Sequence, residues 1–393
     1  MQSKKLITFI ILVLFHLNIF SQSAISESEI NSRSSQLYTE KKWDELIKFG
    51  NEMSKNGNIS TLVRMRIGNA FLEKRNFQKA LEQYNEILKL DSYNSLARFN
   101  SWLCLKKLNE VNFATVHIPF INKQEIKEEH LKKYAINSIG IENSYKVTNN
   151  SNRGKGNYTR FNFDGRIGWR LNFNQSIVSY HQTIKEPSLI YVSDSNNIKI
   201  EQLEYYNRMS YNLNRKIQLI AAYHFLYTPF NNFIFRNHTG MLGVRYYQNK
   251  YTLQANAFAG NLNDTSIQQY AAQIEYKPMG NNDLYTVSNL SVNVRNKKNR
   301  INFKEVVGFK VIKNGWLEGN LTIGKFTNQF ENDAIYVYNS IDEKLLKGGI
   351  NFYYRFSPKL IGQLGYTLEK LNKINDYYIY NQHSINSGLT WKF

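Results

Sequence analysis

The sequence predicts a two-part α+β chain: a short N-terminal α-solenoid of helical hairpins, then a transmembrane antiparallel β-barrel of about 14 strands, with 12 possible. Three observations predict it. A 34-residue repeat of apolar positions runs through residues 30–125. A strict two-residue alternation of apolar and polar side chains runs from residue 134 to the end. An apolar N-terminal run follows two lysines and is too short to span a bilayer as a helix.

The N-terminal run comes first. Lys4 and Lys5 precede apolar residues from Leu6 to Phe20, and the small and polar residues Ser21, Gln22, Ser23 and Ala24 follow. Charge, apolar stretch and small-residue exit in that order read as a secretory signal peptide over residues 1–22, the alternative being an uncleaved anchor. Export makes a nucleic-acid partner unexpected, despite a formal net charge of +19. The single cysteine, Cys104, excludes a disulfide framework and a cysteine-built zinc site.

The repeat region spans residues 27–130. Leu37, Phe71 and Leu105 are spaced by 34, as are Trp43, Phe77 and Val111, and Leu46, Ala80 and Ala114. A fixed period of this length marks stacked helical hairpins. The middle copy supplies the expected repeat core, Gly68, Phe71, Phe77, Ala80 and Tyr84, and it resembles a tetratricopeptide repeat. The first copy carries Gly50 where the middle one has Tyr84, and the third carries Pro119 inside its expected second helix, so it should end early as a cap. Such modules dock protein segments or act as spacers.

Beyond residue 133 the period changes to two. Phe161, Phe163, Ile167, Trp169 and Leu171 share one face, and Asn162, Asp164, Arg166, Gly168 and Arg170 the other. The segments 203–213 and 346–356 repeat the pattern. Turn signals at Asn172–Asn174, Asn214-Arg215, 248–250, 278–283, Asn314-Gly315 and 357–359 alternate with longer polar loops expected at 148–156, 187–197, 228–236, 260–265, 296–299, 328–343 and 371–376, and 328–345 is ambiguous in strand content. Lipid cannot satisfy backbone polar groups, so a sheet with this outward apolar face must close on itself. Ile385, Leu389, Trp391 and Phe393 share one face of the last strand, and a terminal aromatic in that setting resembles the signal by which outer-membrane barrels are recognised for assembly. The expected surroundings are therefore outer-membrane lipid and the barrel-assembly machinery, with the repeats in the periplasm.

Signal peptide, repeats and a C-terminal barrel together resemble the YaiO family of outer-membrane proteins. That resemblance implies a non-enzymatic envelope protein whose repeats dock a periplasmic protein, linked to export or handling of a surface polysaccharide. A small-solute, anion-preferring channel is the alternative, and a lipid hydrolase or acyltransferase the second. No cofactor, metal or catalytic set is expected. Ser179 and His181 share a face, and with His224 they are the available nucleophile and base types, but no phosphate loop, paired-His spacing or nucleophile elbow is present.

The polar faces assign Arg166, Arg170, Arg208, Arg245, Arg295, Lys304, Lys310, Lys347 and Arg355 to the lumen, against Asp164, Glu204, Glu275, Glu318 and Glu369. A basic excess of this kind favours anions in an open pore. The same charges, paired across the lumen, would fill it, and the sequence leaves both outcomes open. Inward Asn, Gln and Tyr suit a glycan as well as any polar lumen. Of the +19, the barrel region 134–393 contributes 30 basic less 17 acidic residues, or +13.

Overall fold

The computed structural model describes residues 26–55, 59–185, 198–230, 233–248, 251–296, 298–373 and 378–393. The expected signal peptide lies outside the described residues. The chain divides into two compact units, 1–74 and 75–393.

The first unit contains α1 (Glu27–Thr39), α2 (Trp43–Lys55) and α3 (Thr61–Glu73). Ser26 and Glu29 form a reciprocal capping box that starts α1 by satisfying two orphan amides. Ser60 caps α3 through the amide of Val63. Leu37, Leu46, Met53, Ile67, Gly68 and Phe71 are buried. Gly50 explains the departure from the repeat pattern, since a Cβ there would stand 2.2 Å from Ile67 Cδ1. The small residue lets α3 approach α2.

The second unit opens with α4 (Phe77–Leu90) and α5 (Ser95–Lys107). A short α6 (Val111–Ala114), a 3₁₀ segment (Thr115–Phe120) and α7 (Lys123–Glu128) follow. Phe77, Ala80, Tyr84 and Cys104 are buried. Trp43, Phe77 and Val111 each begin a helix, and the left-handed residues Lys41, Arg75 and Asn109 precede them with the same 34-residue spacing. The third copy breaks off after four α-helical residues, and Pro119 lies in the 3₁₀ segment that replaces the rest. No described helix is long and apolar enough to cross a membrane.

Fourteen antiparallel strands then close into a barrel. They are β1 (Tyr134–Thr148), β2 (Arg153–Ile167), β3 (Leu171–Ile184), β4 (Ile198–Asn212), β5 (Ile217–Phe230), β6 (Phe233–Gln248) and β7 (Tyr251–Leu262). The second half is β8 (Thr265–Tyr276), β9 (Leu284–Arg295), β10 (Lys298–Ile312), β11 (Gly315–Glu331), β12 (Tyr336–Arg355), β13 (Leu360–Lys373) and β14 (Tyr378–Lys392). β1 pairs with β14 from Ser138↔Lys392 to Thr148↔Gln382, which removes both sheet edges. The ambiguous stretch 328–345 is the end of β11, a turn and the start of β12, so the strand number is 14.

The outer wall is apolar. Phe161, Ile177, Leu203, Leu242, Ile301, Ile350, Leu364 and Ile385 all point outward and are more than half exposed. Their lumen-side neighbours, such as Arg160, Ser176, Glu204 and Asn302, are buried.

Two expectations are corrected. β2 ends at Ile167, and residues 168–170 form the turn, with Gly168 at φ 72°. Arg170 is thus an exposed turn residue and not a lumen charge. Its guanidinium reaches the carbonyl of Leu213. The predicted turn at Asn172–Asn174 is instead strand, paired with both neighbours. Second, most of the polar stretches expected as long loops are strand. β7 and β8 join through Asn263 and Asp264 alone, both left-handed, as a two-residue hairpin requires. Polar side chains continue a ladder where both faces of the sheet meet water, so polarity there does not mark a loop. The connection 186–197 lies outside the described residues.

Candidate functional site

The lumen is the site. It is shaped by an infolded hairpin and, at the helical end of the barrel, by a helical cap.

The hairpin is the β11–β12 connection. Its strands lose register between Ile323 and Asn328 and again between Lys344 and Leu346, so the ladder bends there. Gly324 sits at φ 134°, where a Cβ would meet the carbonyl oxygen of Ile301 at 2.5 Å. Asn332, Asp333 and Ala334 are all left-handed and make the tip. One side of the hairpin seats on β4–β8. Asp333 pairs with Arg208 at 2.9 Å and accepts from Gln254 at 2.5 Å. Tyr206 donates to the carbonyl of Asp333 at 2.9 Å, and Gln269 both donates to and accepts from the Phe330 backbone. Phe330 stacks on Phe258 with centroids 5.3 Å apart. Ile220, Leu226, Met241, Leu262 and Ile267 complete an apolar seat inside the barrel.

The other side faces the opposite wall. Asp342 pairs with Arg153 through both nitrogens, at 2.8 and 3.1 Å, and accepts from Tyr380 at 2.7 Å. Glu331 receives Lys304 at 3.1 Å and Lys347 at 3.2 Å. Tyr336 donates to Glu142 at 3.0 Å beneath the Arg160 guanidinium. Lys344 meets Glu369 at 2.5 Å. Three hairpin carboxylates, Glu331, Asp333 and Asp342, therefore pair with four wall cations, Arg153, Arg208, Lys304 and Lys347. Three of those cations, Arg208, Lys304 and Lys347, belong to the basic excess expected from the wall.

The cap is built from the chain between α5 and the 3₁₀ segment. Lys277 donates to the carbonyl of Leu108 at 2.8 Å and pairs with Glu110 at 3.2 Å. Arg245 reaches Glu110 at 3.5 Å and Glu275 at 3.1 Å, and Lys277 also holds Glu275 at 2.8 Å. Asn212 donates to the carbonyl of Asn112, and Phe113 packs on Tyr247 with centroids 5.5 Å apart. Burial opposes the Glu110 charge, yet Arg245 and Lys277 outweigh it and hold the carboxyl below its ordinary range. His117, buried in the 3₁₀ segment near Arg98 and Arg215, is pushed down to about 3 by burial and then by those cations, so it is neutral.

A cavity of about 1040 Å³ remains. It is lined by Asn109, Lys146, Glu204, Lys304, Glu318, Lys347 and Glu369, by several tyrosines and amides, and by the hairpin. Lys146 faces the Tyr180 ring at 5.2 Å and has no carboxylate partner among the described residues.

Of the nine cations expected in the lumen, Arg208, Arg245, Lys304 and Lys347 lie in these networks. Lys310 approaches Asp283 at 3.8 Å and Trp316 near the helical end, where Arg355 also faces Trp316. Arg166 donates to the carbonyl of Lys132. Arg295 bonds Asn328 at the far end. His181 and Ser179 are exposed on the outer face with Ile177, so they do not meet His224, which is fully buried on the lumen side. Ile385, Leu389, Trp391 and Phe393 all face outward, and the amide of Phe393 donates to the carbonyl of Asn137 across the closing seam.

Arg153, Lys344 and the hairpin acids escaped the sequence reading because residues 148–156 and 328–345 read as loops. Lys146 and Arg160, outside those stretches, were not assigned to either face. The left-handed run Asn332-Asp333 was the available signal for a tight tip.

A closed antiparallel barrel with an apolar outer wall and a polar lumen defines an outer-membrane β-barrel protein. No family model and no curated protein matches the chain. Among solved structures, it is similar to a TodX deltaS2S3 mutant, a monoaromatic hydrocarbon channel, at 8% identity over 68% of this chain and 92% of that one, with a TM-score of 0.43. It is similar to a Pseudomonas aeruginosa FadL homologue at 11% identity over 70% and 92%, with a TM-score of 0.42. The Acinetobacter baumannii outer membrane protein Omp33 is similar at 7% identity over 66% and 99%, with a TM-score of 0.38.

Proposed function

We propose that this protein is an outer-membrane channel for small polar solutes, with an anion preference, narrowed at rest by the infolded hairpin and the helical cap. The observation that carries the reading is the hairpin itself. It crosses the lumen on ionic and hydrogen-bonded contacts beside one apolar seat, and it leaves a cavity at the upper end of the size range of small-molecule sites. A barrel meant only as an anchor has no need of a cavity of about 1040 Å³. In this reading the helical end faces the periplasm.

The polysaccharide-linked role that the sequence resemblance implies has less support. A polymer path would require the hairpin to leave the lumen, and the chain between α5 and the 3₁₀ segment is already engaged with the barrel. Any docking of a periplasmic partner by the repeats falls to other surfaces.

Proteoliposomes carrying the full chain test the reading. Small organic anions are expected to enter several-fold faster than cations of equal size. Lys146→Glu combined with Arg166→Glu should abolish that difference, because both cations lack a carboxylate partner among the described residues. Arg170→Glu, in the exposed turn, should leave it unchanged. Equal entry of both ions into wild-type vesicles would refute the anion preference, and no entry of either would refute the channel.

A further inference from the structure

We infer that Glu204 and His224 form a proton-binding site that latches the hairpin in the lumen, so that proton loss releases it. This deepens the channel reading by naming what widens the passage.

Donors and acceptors at this pair do not balance without one more proton. His224 Nδ1 lies 2.7 Å from the carbonyl oxygen of Ala334 at the hairpin tip, and its Nε2 lies 3.0 Å from Glu204 Oε2. A carbonyl oxygen and an ionised carboxylate are both acceptors. A neutral imidazole has one N–H and one lone pair, so it can satisfy only one of them. The other contact would set lone pair against lone pair in a fully buried place. One additional proton makes both hydrogen bonds. It resides either on the ring, facing a carboxylate, or on Glu204, donating to a neutral ring. The two forms share that proton, and it belongs to the pair.

The surroundings favour this reading. Gln202 donates to the other oxygen of Glu204, so that carboxyl keeps an acceptor role on its far side. Thr239 donates to the His224 carbonyl, not to the ring. Tyr206 packs edge-on against the imidazole and spends its hydroxyl on the Asp333 carbonyl. Arg208 is occupied by the Asp333 carboxylate. From the other walls, among the described residues, Lys146 of β1, Tyr158 of β2 and Tyr180 of β3 interact electrostatically with Glu204, and Arg160 of β2 with Tyr206. Arg160 is engaged by Glu142. Glu204 borders the cavity, which gives the proton a route to bulk water.

The direction follows. Below the range in which the pair titrates, the proton is present, both bonds form and the tip is held. As pH rises through that range, one contact turns repulsive and the tip loses its donor at Ala334. With one proton involved, the latched fraction changes by up to about tenfold per pH unit.

The test uses the full chain folded in detergent, with Ile335→Cys as the only thiol (Cys104→Ala). Ile335 packs partly buried against the apolar seat, so its labelling by a maleimide reports release. Rates are normalised at each pH to the same protein unfolded in urea. Assayed from about pH 5 to about pH 9, the wild-type latch should give a normalised rate that rises with pH, by up to about tenfold per unit. Glu204→Gln supplies an amide donor to Nε2 while Nδ1–H still serves Ala334, so labelling should be slow and flat. His224→Ala removes the donor, so labelling should be fast and flat. A flat wild-type profile, or a Glu204→Gln profile that tracks wild type, overturns the latch. Labelling needs no current or flux, so a failed channel reading would leave this result standing, and the reverse holds too.

Discussion

Glu110→Ala is expected to weaken the seat of the helical cap by about 3 kcal/mol. The side chain is almost fully buried and faces Lys277 and Arg245, which would then share Glu275 alone. Removing one partner of a buried ionic cluster leaves uncompensated charge, and that residual charge, more than the lost attraction, sets the cost. Limited proteolysis between α5 and α7 in the detergent-folded protein should accelerate roughly a hundredfold, which is that free energy read as an opening equilibrium. The pH dependence has a definite sign. The carboxyl is held below its ordinary range, so its contribution is present above the unfolded carboxyl's titration and is lost as pH falls through the folded one. Cap protection in the wild type should therefore decline only in acid, below about pH 4. Unchanged proteolysis in the variant would show that the backbone contacts at Leu108 and Asn112 suffice.

Gly324→Val is expected to expel the hairpin from its seat. At φ 134° a β-branched residue is strained by about 1–3 kcal/mol before any contact is considered. Its Cβ also meets the Ile301 carbonyl oxygen at 2.5 Å and the Asn302 side chain at 2.2 Å. The Asn302 amide can rotate, but the Ile301 oxygen belongs to the β10 ladder and cannot. The bend must open, and the tip bonds of Asp333, Ala334 and Phe330 are then lost together. Protease cleavage within 326–344 should rise, while the strand ladders outside the hairpin keep their thermal stability. If the hairpin stays protected, the bend is set by the register shifts and not by Gly324.

Much of the barrel was legible because lipid imposes one rule on every strand. Alternation from Phe161 to Ile167, at 203–213 and at 346–356 marks an outward apolar face, whereas strand ends were less legible, since Asn172 and Asn174 lie within β3. The 34-residue spacing of Trp43, Phe77 and Val111 recurs in the structure as three helix starts. The lumen was harder to read. Polar residues inside a barrel obey no spacing rule, and an acidic hairpin resembles a solvated loop until its partners are known. Asp333 and Arg208 are 125 positions apart, and nothing local in either segment signals the other. Apolar inward residues such as Ile220, Met241 and Phe258 also break the simple polar-inside expectation, because part of the lumen wall is the seat of the hairpin. Arg170 was misplaced by three residues of turn, enough to carry it from the lumen to the rim.

The most direct measurement is planar-bilayer recording of the wild type beside a variant in which residues 328–342 are replaced by a two-residue Asn-Gly turn. That change removes the tip, frees Arg153, Arg208, Lys304 and Lys347 of their hairpin partners Glu331, Asp333 and Asp342, and leaves the 14-strand ladder below the bend. A channel narrowed by its hairpin should then show a several-fold larger conductance and, in a salt gradient, a reversal potential shifted toward that of chloride. Equal conductance and selectivity in the two proteins would contradict the account.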